Sequence, residues 1–211
     1  MTLASSNGAR RSLLALALAA SALGSLSGCA PLIVGGAMMG GTLMYTDRRT
    51  SGAQVEDQAI ELKAGNRAAE VVGDRGHISV TSYNRLVLLT GEAASEADKA
   101  SVEQAVQRVE NVRSIVNEIA VMGASSLTSR SNDAILSGKV KASLVDAKDL
   151  QANAFKVVTE RGIVYLMGRV TDREANRSAD VARSVSGVQK VVRVFELISE
   201  SELANLQPPS R

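Results

Sequence analysis

The chain has 211 residues, with 24 Lys and Arg against 22 Asp and Glu, no Trp, two Phe and three Tyr. So few aromatic side chains exclude the stacking platforms that hold single-stranded nucleic acid. One cysteine excludes an intrachain disulfide.

The first element is an export signal. Arg10 and Arg11 supply a positive start, Leu13 to Leu26 form an uncharged apolar core, and the small residues Ser27 and Gly28 follow. The core is shorter than the roughly 20 residues that span a bilayer. The alternative is an uncleaved membrane helix, because Ala30 to Tyr45 is apolar too. Gly35, Gly36, Gly40 and Gly41 make that continuation a poor helix. They have no Lys-Ser/Thr after them and no strand before them, so they read as an apolar tether rather than a phosphate loop. Removing residues 1–28 removes two Arg and no acid, which leaves 22 bases and 22 acids. Of these, residues 29–123 carry 9 bases and 12 acids, and residues 124–211 carry 13 and 10. The second half is therefore the better neighbour for an anionic surface.

Beyond the tether the chain repeats itself. Residues 77–121 align with 154–198, and Gly91 matches Gly168. Each copy has a helical segment upstream, near 55–72 and 132–147. Two modules of about 70 residues follow, joined by the small, polar stretch around 123–131. Each reads helix, strand, strand, helix, strand. In the second copy, Phe155 and Val157 alternate with polar neighbours, Arg161-Gly162 offers a turn, and residues 163–168 are a short β-rich run. Thr171-x-x-Glu174 is a capping box, with Ser95-x-x-Asp98 its counterpart. Ala175, Ala179 and Ala182 share one helical face, as do Val102, Ala105, Val106 and Val109. Gly187 or Asn111 ends that helix, and a last strand runs through 191–197. The expected fold is α+β: two tandem αββαβ units, each a small three-stranded sheet with both helices on one face. The boundaries read as 1–28 signal, 29–50 tether, 51–122 first module, 123–130 linker, 131–199 second module and 200–211 tail.

Leu26-Ser27-Gly28-Cys29 resembles the bacterial lipobox, and the hairpin–Gly–helix–Gly-Val–strand order, present twice, resembles the BON domain (bacterial OsmY and nodulation domain). Together they are similar to the dual-BON outer-membrane lipoproteins over nearly the full mature length. The lipobox resemblance implies that the Cys29 sulfur takes a diacylglyceryl group, that cleavage precedes Cys29 and that its new amine is acylated. Three acyl chains exceed what stable membrane anchoring requires. By the family's sorting rule, Ala30 rather than Asp after the cysteine implies the outer membrane, periplasmic face.

The residues themselves offer no catalytic constellation, metal site or cofactor site. Asp172, Glu174 and Asp180 read as helix caps and dipole partners. His77, the only histidine, has no second ligand near it in sequence. No G-x-S-x-G occurs, so a periplasmic hydrolase finds no support. The resemblance implies instead that the first helix of the second module binds anionic phospholipid such as phosphatidylglycerol. With Leu136, Val140 and Leu144 facing the core, Ile135, Gly138, Lys139 and Ala142 fall on a flank turned ~60–160° away. Ile135 is then either a wedge beside Lys139 or a core residue with the lysines a solvated face. Lys141 and Lys148 stand at the rim. Envelope integrity, and a role at the division septum, follow from the resemblance. The other reading is a protein-interaction module that links the membrane to an envelope assembly or secretion machine.

Overall fold

The computed structural model describes residues 47–206, so the signal, Cys29 and the tether lie outside the described residues. The first module runs α1 (Ser51–Val72), β1 (His77–Tyr83), β2 (Leu86–Ala93), α2 (Glu96–Gln107), β3 (Ser114–Asn117) and β4 (Ala120–Val121). The second runs α3 (Leu127–Asp146), β5 (Lys156–Glu160), β6 (Ile163–Val170), α4 (Asp172–Arg183) and β7 (Lys190–Leu197), followed by α5 (Glu200–Leu206).

In each module the second strand is central. β2 lies antiparallel to β1 and parallel to β3, with β4 continuing the same path after a break. β6 lies antiparallel to β5 and parallel to β7 along eight paired residues, Ile163↔Lys190 to Val170↔Leu197. The helices start four to five residues before the segments expected at 55–72 and 132–147, because the caps lie upstream. Thr50 Oγ1 accepts from the Ala53 N–H, and Ser126 Oγ from the Ser129 N–H. α3 thus begins inside the stretch read as a linker. Residues 200–206, read as tail, are helical, because the Ser199 and Glu202 side chains cap each other's N–H groups. The helix ends read at Asn111 and Gly187 also move. α2 and α4 stop at Gln107 and Arg183. The left-handed Asn111 and Gly187 turn the loop beyond them.

Alternation along the central strands decides the layering. Val87 and Leu89 of β2 face α1 and α2, meeting Ile60, Ala64, Ala68, Val102 and Val106 in one core. Val164, Leu166 and Val170 of β6 do the same against Val140, Leu144, Ala175 and Ala182. The intervening residues form a third core: Tyr83 and Leu88 of the first module pack with Tyr165, Met167 and Val194 of the second. The two sheets therefore bury their second faces against each other, and the layers read helix, sheet, sheet, helix.

Candidate functional site

Helix α3 places the candidate residues. Leu136, Val140 and Leu144 point inward with Asp133, which fixes a core direction. Ile135, Gly138, Lys139, Lys141 and Ala142 are all on the exposed side. Ile135 is 59% exposed, so it is not a core residue. The exposed face carries more apolar surface than those residues alone. Leu127 is 79% and Val145 67% exposed, with Ala134 also in solvent. At 100° per residue, Leu127, Ala134, Ile135, Gly138, Ala142 and Val145 lie within an arc of ~100°, opposite the core. Lys141 and Lys139 flank that arc on its two sides. Leu127, Ala134 and Val145 were readable from the same periodicity. Leu127 lies in a stretch whose small, polar composition reads as a linker, and the stripe of Leu136, Val140 and Leu144 fixes only the core-facing side.

Beside this face runs an open groove of about 460 Å³, between α3 and the β5–β6 and α4–β7 turns. Ile135 and Lys139 line one wall, Arg161 and Gln189 the other. Its floor is held by Asp133, whose two oxygens accept the Arg161 and Gly162 N–H groups at 2.8 Å each. Both turn residues have positive φ, 51° and 73°, as a two-residue hairpin requires. Asp57 does the same work in the first module, accepting from the Asn84 and Arg85 N–H groups at 2.7 and 2.8 Å. Neither aspartate stands out within its own copy. The signal was the repeat itself, which carries an Asp at 57 and 133, one helix before each hairpin turn.

The residues weighed for catalysis do not gather. Glu174 is buried, accepts the Thr171 N–H at 3.0 Å and completes the capping box. Burial would raise its pKa, but the Arg48 guanidinium and the Thr171 N–H hold it below the usual carboxylate value. Asp172 and Asp180 are exposed, and Asp180 pairs with Arg183 at 2.6 Å. His77 is half-buried at the start of β1, and burial, then Arg130, push its pKa down. Among the described residues no group of three His, Cys, Asp or Glu side chains could hold a metal ion.

Two copies of one αββαβ unit, each with a helix aspartate clasping its hairpin turn, fit the family match to the BON domain over residues 57–123 and 132–198. The chain belongs to the BON-domain family. It is 34% identical to the outer membrane lipoprotein DolP of Haemophilus influenzae, across 82% of this chain and 90% of that one. It is 30% identical to a 21 kDa hemolysin of Actinobacillus pleuropneumoniae, across 72% of this chain and 79% of that one. Osmotically-inducible protein Y of Escherichia coli is 29% identical, across 65% and 70% of the two chains. No described helix of this BON protein is long and apolar enough to cross a membrane.

Proposed function

We propose that this protein is an outer-membrane lipoprotein, anchored through acylated Cys29, whose second BON module lays α3 on anionic phospholipid. In this role it supports outer-membrane integrity, including at division sites. The observation that carries the reading is the outer face of α3. It is a strip of apolar and small side chains about 27 Å long, from Leu127 to Val145, with Lys139 and Lys141 on its flanks and no exposed acid among them. Apolar side chains on such a strip enter the acyl boundary while the ammonium groups meet phosphates. The similarity to an outer membrane lipoprotein over most of the chain supports the location. The groove between Lys139 and Arg161 offers room for a phosphoglycerol headgroup.

The test is vesicle flotation with the chain lacking residues 1–29, comparing phosphatidylglycerol with phosphatidylcholine. The Ile135→Asp/Lys139→Glu variant is expected to bind phosphatidylglycerol at least about tenfold more weakly, since each basic group near an anionic leaflet contributes about 1 kcal/mol. Equal binding to both lipids, or an unchanged variant, refutes the reading.

A second reading, a scaffold that links the membrane to an envelope assembly or secretion machine, draws on α1. There Val55 and Leu62 are exposed seven residues apart on one face. Crosslinking in cells to a saturable protein partner, lost on Val55→Glu/Leu62→Glu, would favour it.

A further inference from the structure

Nine large apolar side chains are exposed among the described residues, and five of them lie within 121–145: Val121, Met122, Leu127, Ile135 and Val145. Three belong to α3. The other two, Val121 at 40% and Met122 at 48% exposed, belong to the first module and its exit. Val121 ends the short strand β4 and Met122 follows it, its N–H bonding the Ala93 carbonyl at 3.0 Å.

The junction after them is built, not loose. The Ser125 N–H donates to the buried Glu92 carboxylate at 3.1 Å. Arg130 donates to Ser125 Oγ and to its carbonyl at 3.2 and 3.1 Å. The Arg161 guanidinium, which lines the α3 groove, also contacts the Met122 sulfur. Met122 thereby touches a side chain of the groove that Ile135 and Lys139 border, and the four residues 123–126 carry the chain to Leu127 at the head of the α3 strip.

Charge separates this surface from the other helical face. Residues 119–145 contain Arg130, Lys139 and Lys141 and a single acid, Asp133. That acid is buried and bonded to the hairpin turn. Helix α1, by contrast, carries Glu56, Asp57, Glu61 and Glu70 within its 22 residues.

We infer that the membrane footprint is not confined to the second module: Val121, Met122 and Leu127 form a wedge at the module junction that enters an anionic bilayer together with the α3 strip. This rests on the reading of α3 as a phospholipid-binding helix. It adds that the first module touches lipid through the end of its last strand, which fixes how the whole body is set down on the surface.

The experiment uses the full acylated chain in vesicles of phosphatidylglycerol and phosphatidylcholine, and in phosphatidylcholine alone. A spin label is placed at Met122→Cys, Leu127→Cys, Ile135→Cys, Val145→Cys or Leu62→Cys, one per protein, and immersion is read from oxygen and nickel-chelate accessibility. Labels at 122, 127, 135 and 145 are expected in the acyl boundary of the anionic vesicles, with position 62 in water. Immersion at 135 and 145 with 122 and 127 in water overturns this inference and leaves the α3 reading standing. No immersion at 135 and 145 overturns both, as does equal immersion of all four in phosphatidylcholine alone. An unlabelled Met122→Glu/Leu127→Glu protein of unchanged melting temperature should bind anionic vesicles about fivefold or more weakly. Undiminished binding counts against the wedge even where a labelled variant fails to fold.

Discussion

Asp57 and Asp133 hold equivalent places, yet their surroundings differ in a way that sets the acid response of each module. Asp57 accepts from Ser82 Oγ at 2.6 Å, from two turn N–H groups, and from Arg49 at 2.9 Å. Burial alone would raise its pKa, but these donors prevail and lower it. Its stabilisation is therefore present above its unfolded pKa and lost as pH falls through the folded one. At the other hairpin the balance is reversed. Glu160 is buried beside Glu92 and Asp133. Burial first, then those two like charges, push its carboxyl up to about 7, against the pull of Arg161 and Arg130. Its contribution is complete below the ordinary value of 4.5 and disappears as pH rises through about 7. Thermal melts should show the wild type losing stability between pH 5.5 and pH 8 by about 1–3 kcal/mol more than Glu160→Gln. The opposite drift from His77, whose pKa is lowered, is common to both proteins and cancels. Parallel pH profiles would show that Glu160 is ionised at no cost in the fold.

At the scale of the element, the repeat glycines explain why the central strands can be central. A Cβ at Gly91 would stand 2.0 Å from the His77 carbonyl oxygen, and one at Gly168 would stand 2.4 Å from that of Ala154. In both modules the chain entering the first strand crosses directly over this point. Gly138, on the open face of α3, has nothing within 4 Å of such a Cβ. Urea denaturation should therefore separate the two substitutions. Gly168→Ala should cost about 2 kcal/mol or more, while Gly138→Ala should stabilise by up to about 1 kcal/mol through helix propensity. A harmless Gly168→Ala would mean that β5 can shift away freely. Much of this level was legible in the sequence. The stripe Leu136, Val140, Leu144 was visible as a helical period, and the Thr171 box as a capping pattern. What periodicity hid was the second face of β6, because Ile163 to Met167 is apolar without interruption. Such a run marks burial on both sides without naming what covers the far one. The answer, a second copy of the same sheet, depends on contacts between residues such as Leu88 and Tyr165, 77 positions apart.

For the whole molecule, the segment ahead of the first module belongs structurally to the second. Arg48 is buried and donates to both Glu174 oxygens at 2.7 Å, to the Arg169 carbonyl at 2.8 Å and to Gln151 at 3.3 Å. Arg49 turns the other way, to Asp57, and lies over the Tyr83 ring at 4.3 Å from its centroid. The pair straddles one end of the sheet–sheet core. Asn84 and Arg169 add bonds to Glu196 at that end, at 2.6 and 3.2 Å. Lys156 to Glu61, at 2.6 Å, ties the second module's first strand to the first module's α1. Nothing in composition predicted this clasp, since an Arg-Arg pair before a helix reads as solvated charge. Its consequence is that the chain arriving at Asp47 is delivered to the helical layer containing α3 and α4, beside Gln151, which follows the end of α3. Breaking a buried pair leaves its partner uncompensated, at about 3–5 kcal/mol. Arg48→Ala should therefore release the segment before the modules themselves unfold. Trypsin under native conditions should cut after Arg49 in the variant many times faster than in the wild type, leaving the 50–211 fragment intact on a gel. If Arg49 in the variant stays protected until the midpoint of global unfolding, Arg48 is only one of several equivalent ties, and Arg49 with Asp57 and Tyr83 suffices to hold the segment.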